Sequence, residues 1–285
     1  MPGSDYGSHI VIRAKLHRFT GVSMIRRTLL ATVAALALTA AAHADETPLK
    51  FGADSSPYPP FASQGADGKW SGFEVDLMNA VCAAENLKCE TVGTAFDGII
   101  PALNAKKIDV IWASMSITPE RKKSVTFTNK YYNTPSEIVA LKTTDLKISK
   151  ADPSALKGKV VGVQSSTIHA NYVQKHFGDL VTLKTYDSQD NADADLVAGR
   201  VDAVMADSIA LNDFLNSAQG KDAEVKMVIP ADDDRAVMGD GVGGAVRNDD
   251  TALLAKLNDG IAKIRADGTY DKIAKKYFSF DVYGG

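Results

Sequence analysis

The chain has 285 residues, 45% of them apolar and 24% charged, enough for one large domain or two modest ones around a real core. That balance excludes disorder, collagen-like repeats and coiled coil as the main architecture. Residues 1–44 hold five of the 32 basic residues and one of the 35 acidic ones; the remaining 27 and 34 give a net charge of −7, which argues against nucleic acid and anionic lipid surfaces as partners.

At the start of the chain, Arg26 and Arg27 precede an apolar run over 28–42, and Ala42-His43-Ala44 follows as a small-x-small site. This is the pattern of a secretory signal segment over about 24–44, with residues 1–23 as an upstream extension. The run is too short to span a bilayer comfortably. The first cysteine after it is Cys82, so no lipid-bearing cysteine stands at the cleavage site. The expected product begins at Asp45 and is soluble outside the inner membrane. Cys82 and Cys89 are the two cysteines of the chain. In an exported protein they read as one structural disulfide, and the spacing is too long for a C-x-x-C redox pair.

Strand-like and helix-like segments then alternate. A strand is predicted over 49–53. Phe73, Leu77 and Val81 recur at helical spacing and predict an amphipathic helix over 72–86. A shorter helix over 96–105 leads to an apolar strand over 108–113. In the middle of the chain come strands over 159–163, 181–186 and 201–206, with helices over 167–177 and 191–198. Two helices close the chain, over 251–266 and 269–278. This alternation predicts an α/β fold with mainly parallel sheets.

Lys107 to Ser114 echoes Arg200 to Asp207, 93 residues on: a basic residue, an apolar strand, then a polar residue at the strand's carboxyl end. Ligands of open α/β sheets bind at those ends. The echo points to two similar lobes, one offering Ser114 and the other Asp207 to a shared cleft.

Other motifs lead away from catalysis. Gly239-Asp240-Gly241-Val242-Gly243-Gly244 fits G-x-G-x-x-G but lacks the strand before it and the helix after it that a nucleotide site needs. It reads as glycine-rich backbone near a hinge. His169 and His176, seven residues apart, read as a solvated helix face, since no cysteine or paired carboxylate completes a metal site. No metal and no cofactor is expected. The chain has no G-x-S-x-G, no H-E-x-x-H and no P-loop lysine.

The strongest local signal is Ser114-Met115-Ser116-Ile117-Thr118-Pro119-Glu120-Arg121. Thr118 suits an N-cap, Pro119 the first helical position and Glu120 the helix dipole, so a helix is predicted to start here. The Ser114 and Ser116 hydroxyls, free backbone N–H groups and Arg121 would suit a carboxylate. The alternative is that Arg121 is an ordinary surface residue of a first turn.

This segment, with Gly72-Phe73-Glu74-Val75-Asp76-Leu77, Asp97-Gly98-Ile99-Ile100-Pro101-Ala102-Leu103, Ala198-Gly199-Arg200-Val201-Asp202 and Arg265-Ala266-Asp267-Gly268-Thr269-Tyr270, resembles the bacterial periplasmic polar amino-acid-binding proteins. The likeness is greatest to the lysine/arginine/ornithine- and histidine-binding type. The Cys82–Cys89 spacing resembles the family's disulfide. The resemblance implies a two-lobed periplasmic-binding-protein fold of type II, each lobe a mainly parallel sheet flanked by helices, joined by two crossing hinge segments. It implies lobe one at 45–134 plus 239–285 and lobe two at 135–238. It also implies a periplasmic monomer without catalytic residues that hands its ligand to the membrane permease of an ABC importer. In that picture Arg121 holds the ligand α-carboxylate, helped by Ser116 and Thr167. Asp207 holds the α-ammonium with Ser114 nearby, Tyr58 and Phe96 sandwich the side chain, and Asp54 meets its cationic end.

Three departures bear on the ligand. Asp54 and Tyr58 are one residue further apart than in the family pattern, Ala113 stands where a serine is common, and Ile168 stands where some members carry a polar residue. A basic amino acid is the expected ligand. A glutamine- or opine-binding protein is the alternative on the same fold, and a cyclohexadienyl-dehydratase-like enzyme is the alternative of another class.

Overall fold

The computed structural model describes residues 47–284. The predicted signal segment over 24–44 and the extension over 1–23 lie outside the described residues. The chain opens with β1 (Leu49–Asp54), a small hairpin of β2 (Ser63–Gln64) and β3 (Trp70–Ser71), helix α1 (Phe73–Ala84) and β4 (Cys89–Thr94). A 3₁₀ turn at Phe96–Gly98 runs into α2 (Ile99–Asn104), then come β5 (Val110–Ile111) and β6 (Thr126–Phe127). The central part holds β7 (Ser136–Leu141), β8 (Val160–Gln164), α3 (Ile168–Phe177), β9 (Thr182–Tyr186), α4 (Gln189–Val197), β10 (Ala203–Asp207), α5 (Ser208–Asn216) and β11 (Ala223–Ile229). The chain finishes with α6 (Arg235–Met238), β12 (Ala245–Val246), α7 (Thr251–Ala266) and α8 (Thr269–Tyr277).

These strands build two five-stranded sheets. The first runs β4-β1-β5-β12-β6, with β1 parallel to β4 and β5 and with β12 antiparallel to both its neighbours. The second runs β11-β7-β10-β8-β9, with β10, β8 and β9 parallel and with β7 and β11 antiparallel at one edge. The fold is therefore the expected α/β arrangement of two mainly parallel sheets flanked by helices. The chain passes from the first sheet to the second after β6 and returns after β11.

Burial explains the element boundaries. On α1, Phe73, Leu77, Met78 and Val81 are buried and pack against Leu253, Leu257 and Ile261 of α7. Gly72, at φ 130°, brings the start of α1 onto the Phe61 backbone; a Cβ there would lie 2.3 Å from Phe61 O. In sheet two, Ile138, Ala140, Val161 and Val163 fill one face, while Val139, Val204 and Ala206 fill the other, under Leu211 of α5. Strands buried on both faces read as continuous apolar runs, which is why β7 carries no period-2 signal. The helix predicted from Thr118 is a single 3₁₀ turn, Arg121–Lys123, because the chain must turn back at once into β6. Cys82, on α1, and Cys89, at the start of β4, form the expected disulfide.

The G-x-G-x-x-G stretch crosses between the sheets beside residues 115–132. Ile117 N–H donates to Gly241 O, and Gly243 N–H to Met115 O. A Cβ on Gly239 would sit 2.5 Å from Ile117 O, and one on Gly244 would sit 2.6 Å from the Trp112 ring. Close backbone approach accounts for both glycines.

Candidate functional site

The carboxyl ends of the parallel strands converge on one recess between the sheets. Asp54 ends β1, Ser114 lies just past β5, Gln164 ends β8 and Asp207 ends β10, and all four line it. Tyr58, Phe96, Ser116, Arg121 and Thr167 line the same recess, so the structure brings together every ligand contact expected from the sequence.

At one end sits Arg121. Its Nη1 donates to Ser116 O and its Nη2 to Ser166 O, each at 3.0 Å, and Cζ lies 5.7 Å from the Phe96 ring centre. Thr118 Oγ1 accepts from Arg121 N–H at 3.2 Å, as an N-cap would. Burial lowers the guanidinium pKa to about 10, opposed by the attraction of Asp207, so the group stays charged at neutral pH. Among the described residues no carboxylate lies within ion-pair distance of it. Ser166 leads into Thr167, the N-cap of α3, whose Oγ1 accepts from Ala170 N–H at 3.2 Å and donates to Gln164 O at 2.8 Å. Arg121 therefore stands beside a helix N-terminus, where unmatched N–H groups favour an anion.

At the other end is Asp207, 8% exposed. Tyr58 Oη donates to Oδ2 at 2.8 Å, and Thr134 Oγ1 donates to Oδ1 at 2.9 Å. His169 Nε2 lies 3.8 Å from Oδ1 and 3.0 Å from Ser136 Oγ. Burial lowers the His169 pKa, so the imidazole is neutral at neutral pH and gives Asp207 no counter-charge. This corrects the solvated-face reading: α3 turns His169, Tyr172 and Val173 inward, and only His176 stays half-exposed, against Asp234 Oδ2 at 2.7 Å.

The third end holds Asp54, buried at the tip of β1. Its Oδ1 accepts from Ser56 N–H at 3.0 Å and its Oδ2 from Gln164 Nε2 at 2.7 Å. Burial raises its pKa; those two bonds oppose the shift, and Asp97 and Asp190 add to it. Tyr58 stacks on Phe61 at 5.7 Å. Hydrogen bonds from Tyr58 to Asp207, from Gln164 to Asp54 and from Arg121 to Ser166 tie the walls across the recess.

Sequence reasoning missed Glu74, Gln164, His169 and Gln189 as lining residues. For Glu74 a signal was present. It shares the stripe of Leu77, Met78 and Val81 at i+3, i+4 and i+7, so an acid sits on the buried face of an amphipathic helix.

Residues 49–280 match the bacterial extracellular solute-binding proteins, family 3. The L-arginine-binding protein of Pseudomonas aeruginosa is 44% identical over 263 residues, covering 92% of this chain and 99% of that protein. The histidine-binding periplasmic protein of Salmonella typhimurium is 41% identical over 249 residues, covering 87% and 94%. Among solved structures, an ancestral arginine-binding protein bound to arginine matches with a TM-score of 0.73 at 35% identity, covering 81% of this chain and 98% of that one. With two sheets meeting strand-end to strand-end over a charged recess, this chain belongs to the bacterial extracellular solute-binding proteins, family 3.

Proposed function

We propose that this chain is the periplasmic solute-binding component of an ABC importer and that it holds a basic amino acid in the recess. One observation carries the reading: a guanidinium and a carboxylate face the same buried space from opposite walls, and neither has a charged partner among the described residues. A zwitterion taken out of water needs a counter-charge and hydrogen bonds at both ends. Arg121, with the start of α3 and Ser116, takes the α-carboxylate. Asp207 takes the α-ammonium with Ser114 beside it. Tyr58 and Phe96 flank the side chain, and Asp54 receives its cationic end.

Residues 45–134 with 239–285 form one lobe in this reading, and residues 135–238 form the other. Support comes from the strand order, since sheet one draws β12 from the far end of the chain and sheet two holds β7 to β11. Ligand binds the open form and stabilises the closed one, and the closed form docks as a monomer on the permease. The signal-like segment supports export to the periplasm. Binding rather than turnover is supported by the names of the relatives. Glu74 is the one reason to test for an enzyme, because burial raises its carboxyl to about 7, where a general acid works.

Calorimetry against the twenty amino acids and common opines tests the proposal. Tight binding of arginine, lysine, ornithine or histidine is the expected result. Preference for glutamine or an opine would move the ligand class, and no binding at up to about millimolar ligand, some −4 kcal/mol, would overturn the reading. Turnover of prephenate by the purified protein would replace it with the dehydratase.

A further inference from the structure

Glu74 is 1% exposed and lines the recess, yet it makes no ion pair among the described residues. Its carboxylate accepts from Ser114 N–H at 2.9 and 3.0 Å, from Ser114 Oγ at 3.0 Å and from the Tyr131 hydroxyl. Trp112 Nε1 donates to the Glu74 backbone carbonyl at 3.0 Å. The first turn of α1 is thus fastened to the segment that carries Ser114. Ser114 itself has φ 51°, a left-handed conformation that costs energy for a serine. The bonds from its N–H to Glu74 hold it there.

The direction of the Ser114 hydroxyl follows from this arrangement. Burial raises the Glu74 carboxyl to about 7; in its ionised form it only accepts, and the Ser114 Oγ–H then donates to it. Beside the Tyr132 hydroxyl, which also meets the Ser114 side chain, Oγ then keeps accepting capacity for a group in the recess that Ser114 and Asp207 both line. We propose that Glu74 is a positioning residue for the ligand ammonium: by taking the Ser114 proton it makes Ser114 an acceptor that shares the ammonium with Asp207. This rests on the reading of Asp207 as the ammonium contact. An ammonium held beside Ser114 also favours the ionised form of Glu74.

Glu74→Gln reverses the polarity. The amide oxygen goes to Ser114 N–H, which puts the NH₂ group against Ser114 Oγ. The hydroxyl proton must then turn into the recess and meet the ammonium donor to donor.

The test compares arginine with 5-guanidinopentanoic acid, which is arginine with its α-amino group replaced by hydrogen. In Glu74→Gln, arginine affinity is expected to fall about tenfold, while affinity for the desamino acid, read by displacement of arginine, changes less than about twofold. In a Ser114→Gly background, where the hydroxyl is gone and the left-handed backbone is natural, Glu74→Gln is expected to cost arginine less than about twofold. Should Glu74→Gln fail to fold, Ser114→Gly alone carries the test: arginine weakens and the desamino acid does not. Equal losses for both ligands, or no loss for either, overturn the inference. Failure of the wild-type protein to bind any amino acid would instead remove the proposed function and this inference with it.

Discussion

The two walls of the recess are built differently. The wall on sheet one supplies Asp54, Tyr58, Phe96, Ser114, Ser116 and Arg121 and rests on an aromatic core, with Trp112 stacked on Tyr131 at 4.3 Å and Phe61 on Tyr132 at 4.9 Å. The wall on sheet two supplies Gln164, Thr167, His169 and Asp207 from strand ends and one helix start, and its sheet is packed on both faces by aliphatic side chains. Each wall carries one decisive charge, and each charge is held by neutral groups: carbonyls and a ring for Arg121, hydroxyls and a neutral imidazole for Asp207. In the proposed reading neither wall holds a zwitterion alone, so affinity would reside in the approach of the walls.

The strongest way to break that comparison is to remove one charge at a time. Arg121→Ala is expected to weaken amino-acid binding at least about a hundredfold, and Asp207→Asn about thirtyfold to a hundredfold, both read by calorimetry. If either loss stayed within twofold, the two-charge picture would be wrong. A second test separates stability from affinity. Cys82→Ser with Cys89→Ser removes a bridge that belongs to sheet one alone, and should lower unfolding free energy by about 2–3 kcal/mol in denaturant titrations while ligand affinity holds within about twofold.

Acid titration sharpens the contrast next. Burial raises Glu74 to about 7 and Glu137 to about 6, and raises Asp193 to about 7. A carboxyl whose pKa rises on folding keeps its proton in the native state where the unfolded chain has lost it, so stability falls as pH climbs through that window. For Glu74 the window runs from 4.5 to about 7. Ligand-free protein should therefore unfold at lower temperature at about pH 7.5 than at about pH 5, by an amount worth about 1–2 kcal/mol. Buried neutral His169 opposes this trend below about pH 6.5, so it is a rise above that pH that would contradict the buried placement of these acids. The smallest expected effect is that of Tyr58→Phe, which deletes one cross-recess donor to Asp207 and should cost about fivefold in affinity.

Much of this protein was legible in the residues themselves. The helical stripe of Phe73, Leu77 and Val81 determined α1, and the apolar runs near 49–53, 159–163 and 201–206 determined three parallel strands, because local periodicity and burial agree there. The same holds for the disulfide, which follows from two cysteines in a chain with an export-like start. Long-range pairing was out of reach. β12 enters sheet one from the far end of the chain, and β7 and β11 join sheet two antiparallel, since an apolar run buried on both faces carries no register in its pattern. The helix predicted at Thr118 shrank to one turn although its capping residue behaved as expected, because the needs of β6 outweighed local propensity. His169 is the clearest case of what tertiary structure alone decided. A histidine on a helix is polar wherever it points; only packing against the strand ends that carry Ser136 and Asp207 turns it from a solvated group into part of a buried site.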